Sequence, residues 1–208
     1  MYWLRKHDVD LHIYSLLPPI HDIVHRQARE LLCHTHYSRL LSWSVIRAQM
    51  HFLRRSPLRY AKALARTIWQ TYREPSVLAR ALAVFPASVY FARLCKEQRI
   101  DHIHAHFVWL EGIAAGVAKD LLGVSFSIHP HAHGLFARNQ RDVRCELENA
   151  TQVVTVSTYH QAYIADLGPR IDASEIEVVY YGVESDQMRP ATKTPHDGPL
   201  RSNSLTIW

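Results

Sequence analysis

The hydrophobic period of the chain switches twice between Asp101 and Phe136, and that switch restricts the fold more than any other feature. Ile103 and Ala105 alternate with His102, His104 and His106, the period-2 signature of a short strand. From Trp109 the period lengthens. Leu110, Ile113, Ala114, Val117, Ala118 and Leu121 form one helical stripe, and Gly123 follows where helices commonly end in a left-handed residue. Val124 to Ile128 is apolar again over the length of a strand. Strand, helix and strand at this spacing make a βαβ unit, whose strands run parallel. The expected class is therefore α/β, with a parallel sheet and flanking helices.

The same unit sorts the histidines. His104 and His106 fall at the carboxyl end of its first strand, and His129, His131 and His133 at or just past the carboxyl end of the second. Ligands of open parallel sheets bind along that edge, because the loops diverge there. Neutral imidazole at His131 could hydrogen-bond a hydroxyl-rich substrate or steady a developing charge, which makes it the leading candidate. Two His-x-His pairs also fit the ligand pattern of a zinc or binuclear hydrolase. Such sites normally add carboxylates, and no Asp or Glu occurs between Leu122 and Arg141, which counts against metal catalysis.

Composition narrows the remaining classes. The net charge of +5 is spread along the chain, which argues against a dedicated nucleic-acid binder and leaves loose attraction to anionic lipid or a phosphorylated ligand. Cys33, Cys95 and Cys145 have no metal spacing and are expected as reduced thiols in a cytosolic setting. No apolar run approaches the ~18 residues of a membrane span, and no signal-peptide core follows Met1. The expectation is a soluble cytoplasmic chain, at most peripheral at the inner face of a membrane.

Asp8 to Leu17 is a strand candidate closed by Pro18-Pro19. His21 to Gln98 is basic and free of glycine, and predicts helices near Ile23–Cys33, Tyr37–Arg54, Leu58–Arg73 and Val77–Gln98, with Pro57, Pro75 and Pro86 as starts or kinks. In the third helix Leu58, Ala61, Leu64, Ala65 and Ile68 make an apolar stripe expected to pack inward, with Arg59, Lys62 and Arg66 on a solvated face. The alternative is a membrane-surface or acceptor-facing patch anchored by Trp43 and Trp69.

Beyond the central unit, a helix is expected over Asn139–Asn149, a strand over Gln152–Val156, a helix over Thr158–Leu167 and a strand over Ile176–Tyr180. Ser157 is placed as an N-cap rather than a nucleophile, since no G-x-S-x-G elbow surrounds it. Glu111 falls in a first helical turn, where the helix dipole favours a carboxylate with or without a ligand. Gly182 suits a turn or a close backbone approach. The composition past Pro190 is that of a linker, and Leu205 to Trp208 could begin another strand. There is no G-x-G-x-x-G, no P-loop and no Cys cluster to support a dinucleotide or NTPase reading.

Four stretches in order, DHIHAHF, LLGVSFSIHPHAHGLF, ENATQVVTVSTYHQAYI and IEVVYYGVESDQMRP, together resemble the GT4-type retaining glycosyltransferases of GT-B architecture. The resemblance implies a partial Rossmann-like N-terminal, acceptor-side domain over residues 1–190 that lacks its first strand and carries a basic helical insertion. It implies that 191–208 is a linker leading to an absent donor-binding domain. His131 is similar to the family's active-site histidine, which contacts the transferred sugar, with His104, His106, His129 and His133 as further pocket residues. Gly182 and Glu184 are similar to an inter-domain Gly-Val-Asp segment. Two positions depart from the pattern: Gly134 stands where Asp is frequent, and His129 where Thr is frequent. The implied substrates are a nucleotide-sugar donor and a glycan or lipid-linked acceptor, without metal or nucleic acid, and the isolated chain is expected to be inactive. A metal-dependent hydrolase and a non-catalytic sugar-binding remnant are the alternatives from other classes.

Overall fold

The computed structural model describes residues 2–17, 26–38, 42–168 and 171–182. Glu184, the linker expected over 191–208 and the Leu205–Trp208 strand start lie outside the described residues. The chain opens with α1 (Tyr2–Lys6), β1 (Ile13–Ser15), α2 (Arg26–Arg29) and β2 (Thr35–Tyr37). Three long helices follow, α3 (Trp43–Arg55), α4 (Pro57–Thr71) and α5 (Pro75–Glu97). The second half alternates: β3 (His102–Ala105), α6 (Leu110–Leu122), β4 (Ser125–Ile128), α7 (Ala132–Phe136), α8 (Gln140–Asn149), β5 (Gln152–Thr155), α9 (Thr158–Asp166) and β6 (Ile176–Val178). Among the described residues all pairings are parallel, in one sheet of order β3-β4-β5-β6 and one of order β1-β2. This is the expected Rossmann-like class.

Local signals account for most boundaries. Ser42 accepts from the Val45 amide at 3.3 Å and Ser157 from the His160 amide at 3.2 Å, so both serines cap helices, and Ser157 does what the sequence suggested. Pro57 and Pro75 stand in the first turns of α4 and α5, where a missing N–H costs nothing. Gly123 ends α6 at φ 83°, the left-handed residue its position promised.

Two apolar cores meet at α6. Phe126, Ile128, Val143, Leu147 and Ile164 fill the space between the larger sheet and α8 and α9. Phe52, Phe85, Val89, Ala118 and Leu121 fill a second core among α3, α4, α5 and α6. Serving both, α6 is buried over most of its circumference, beyond the single stripe read from its sequence.

The first hundred residues differ from expectation in four ways. α1 precedes β1, and only Ile13–Ser15 of the Asp8–Leu17 candidate is strand. Thr35–Tyr37 is a strand that the sequence did not signal, between the helices expected near Ile23–Cys33 and Tyr37–Arg54: it pairs with β1, and His36 stacks on His12 and Tyr14 with ring centroids 5.5 and 5.2 Å apart. Three residues are too few to show a period, so tertiary pairing decides. Third, α5 is long and apolar enough by composition to cross a membrane, contrary to the reading of its run length, with half of the relevant window buried against the rest of the chain.

The fourth difference is the rotation of α4. Of the expected stripe Leu64 packs against the core, but Leu58 is 85% exposed, Ile68 41%, and Ala61 and Ala65 are exposed, while Ala63, Thr67, Gln70 and Thr71 are buried. The Thr67 and Thr71 hydroxyls donate to the carbonyls of Ala63 and Thr67, which removes the cost of burying them. Arg59 and Lys62 are exposed as expected, yet the basic residues also reach back to α6: Lys62 and Arg66 meet the buried Asp120 carboxylate at 3.3 and 3.0 Å, and Arg59 donates to the Leu121 carbonyl at 3.2 Å. Seating those cations on α6 turns the expected stripe outward.

Candidate active site

The crevice is built on strand pairing. β3 and β4 pair His102 with Ser125, His104 with Ser127 and Ala105 with Ile128. Alternation puts the imidazoles and serines on one face and Ile103, Ala105, Phe126 and Ile128 on the other. The His129 amide donates to the Ala105 carbonyl at 2.8 Å, carrying the pairing to the strand exits. A polar row thus runs up one face: His102 with Ser125, His104 with Ser127, then His106 beside His129.

At the carboxyl edge the rings converge. His106 lies 5.5 Å from His129 and 4.8 Å from His131, centroid to centroid, and His129 stacks on His131 at 4.8 Å and 22°. His104 is 6.1 Å from His129, and its Nδ1 is 2.8 Å from Ser127 Oγ. The Tyr181 hydroxyl lies 3.3 and 3.4 Å from the two ring nitrogens of His131, bringing the segment after β6 over the same spot. His133 goes elsewhere: it is exposed on α7, with its ring 6.5 Å from that of Trp109. Gly182, exposed after β6, meets no heavy atom within 4 Å of where a Cβ would stand.

Burial and mutual proximity favour neutral imidazoles. Burial first, then His131, His106 and His104, push His129 down to about 4. His104, His106 and His131 are lowered as well, each chiefly by burial. Neutral rings offer a hydrogen-bond acceptor and a donor apiece, which suits hydroxyl groups better than anions.

A family model, Glycosyltransferase Family 4, matches residues 51–187. The chain belongs to that family. No curated protein and no solved structure matches it. Within this family 4 glycosyltransferase domain, His104, His106, His129 and His131 converge where the ends of β3 and β4 deliver them.

Supporting groups below the rim were not anticipated. Arg138 donates to the Val108 carbonyl in the β3 exit at 2.7 Å and pairs with Glu146 of α8 at 2.8 Å, tying two crevice loops to the core. Burial lifts the Glu146 carboxyl to about 7. Gly134 lets α7 close on that exit, since a Cβ there would stand 2.9 Å from the Val108 carbonyl oxygen and Cγ1. Space thus accounts for glycine at this position. Glu111 is half-buried with its pKa raised by burial, and its Oε2 has no hydrogen-bond partner among the described residues. Tyr181 had one available signal, its place at the carboxyl end of a strand.

Proposed function

We propose that this family 4 domain is the acceptor-side part of a retaining glycosyltransferase, which moves a sugar from a nucleotide donor to a glycan or lipid-linked acceptor. The observation that carries the reading is the group of neutral imidazoles at the carboxyl edge of a parallel sheet, with His131 at its outer end. In this reading His131 hydrogen-bonds the transferred sugar, and its alignment under the Tyr181 hydroxyl limits ring rotation. His104, His106, His129 and His133 shape the approach, and Gly182 and Glu184 belong to the segment leading to a donor-binding domain. The chemistry needs no metal cofactor: hydrogen bonds aimed at developing charge in a water-poor crevice stabilise the transition state.

In this reading the donor's leaving phosphate is met by cationic groups of a donor-binding domain. The test is transfer of labelled sugar by a polypeptide joining this domain to a donor-binding domain, with the product anomer read by NMR. Retention supports the proposal, and inversion overturns it.

Placement at the inner face of a membrane is part of the proposal. On α3, Trp43, Ile46, Met50 and Leu53 are exposed while Val45, Ala48 and Phe52 are buried. On α4, Leu58 and Trp69 are exposed, and no Asp or Glu occurs between Glu30 and Glu74. Apolar and aromatic side chains set among arginines suit the boundary of an anionic bilayer. Flotation with vesicles containing phosphatidylglycerol, and failure to float with neutral vesicles, is the expected result; flotation with neither would count against it.

A further inference from the structure

We propose that His104, His106 and His129 form a binding site for a divalent transition cation of the zinc type, held by three imidazole nitrogens. One ligand nitrogen from each ring lies within 4.8 Å of the others. A tetrahedral zinc ion with Zn–N of about 2.0–2.1 Å needs its ligand nitrogens roughly 3.3 Å apart. The rings must therefore draw in by an ångström or so (on the order of one side-chain rotation), and His104, which is exposed, has room for it.

Two independent features point to a missing ligand. His129 is 8% exposed, and its Nε2 is buried with no hydrogen-bond partner among the described residues. An orphaned buried polar atom is costly, and a cation would use its lone pair. The second feature is a partner for His104: its Nδ1 lies 2.8 Å from Ser127 Oγ, which also lies 2.9 Å from His102 Nε2. That contact engages one ring nitrogen and leaves Nε2 as the other ligand atom. A hydroxyl that holds one nitrogen and orients the ring is a regular companion of metal-bound histidine.

The donor set selects the ion. Three imidazoles suit zinc, cobalt, nickel or copper, whereas magnesium and calcium want oxygen, and the segment from Gly123 to Gln140 supplies no carboxylate. The inference concerns binding, not catalysis, and does not rest on the sugar-transfer reading. A bound cation would join the exits of β3 and β4.

Untagged protein, stripped with a chelator, is to be titrated with zinc chloride by calorimetry and with cobalt chloride by visible absorption. One cation per chain is expected, with tetrahedral cobalt bands that zinc abolishes. His129→Ala and His104→Gln should each weaken binding at least ~100-fold, and Ser127→Ala about 10–100-fold, the usual range for loss of an outer-sphere partner. His36→Ala tests the other histidine group, where His12 Nδ1 and His36 Nε2 lie 3.2 Å apart, and should leave affinity unchanged. If His129→Ala fails to fold, His104→Gln at its exposed position carries the same expectation. Absence of zinc binding, undiminished affinity in His104→Gln, or loss of affinity in His36→Ala would each overturn the proposal.

Discussion

The histidine rim and the α3–α4 helices put one kind of sequence pattern to opposite ends. At the rim, alternation along β3 and β4 assigns faces correctly, because strand pairing leaves each side chain only two directions. On α4 the apolar stripe through Leu58, Ala61, Ala65 and Ile68 faces outward, and a mixed stripe through Ala63, Thr67 and Thr71 faces in. A helix can rotate to satisfy whichever contact is worth most. Here two cations meeting a buried carboxylate, and close packing of small residues whose hydroxyls bond their own helix, outweigh the burial of Leu58 and Ile68. A strand's register is discrete, whereas a helix's rotation is continuous and set by its partners.

The contrast can be broken most forcefully at Asp120. Asp120→Ala leaves Lys62 and the partly buried Arg66 without their carboxylate and should cost about 2–4 kcal/mol, below the range for a fully buried pair because Lys62 is largely exposed. Chemical denaturation measures it; a loss smaller than that of Leu58→Ser would mean that α4 is turned the other way. At the rim, Gly134→Ala drives a methyl into the Val108 carbonyl and should cost roughly 1–3 kcal/mol, seen as a lower melting temperature.

A third test concerns pH. Burial raises Glu146 from its ordinary 4.5 to about 7, so across that window the folded chain holds a proton that the unfolded chain has released. This group's contribution to stability is present at low pH and lost as pH rises through 7. Relative to Glu146→Gln, the native chain should therefore melt progressively earlier between pH 4.5 and 7. A difference that stays flat with pH would contradict the assignment. The smallest effect is expected at Leu58, 85% exposed: Leu58→Ser should change stability by less than about 0.5 kcal/mol. The same change should weaken flotation with anionic vesicles. Unchanged flotation would move the lipid-facing surface off α4.

The βαβ unit was legible because its periods, its terminating Gly123 and its flanking strands all agree. The convergence of His104, His106, His129 and His131 followed from strand ends alone. His133 did not follow, since α7 begins after His131 and carries the ring toward Trp109. Tyr181, Arg138 and Glu146 were hidden for another reason. They act through contacts that only the folded chain creates: Arg138 on Val108, 30 residues before it, Tyr181 on His131, 50 residues before it, and Glu146 through Arg138. β2 was illegible because three residues carry no period, and its partner lies across a helical segment.

The central claim is that His131 meets the sugar being transferred. Its most direct test is the transfer rate of His131→Ala in a polypeptide that joins this domain to a donor-binding domain, measured at saturating donor and acceptor. The account predicts a fall in kcat of about 100-fold or more at an unchanged melting temperature, the usual effect of losing one group aimed at a transition state. Transfer at the native rate would contradict it.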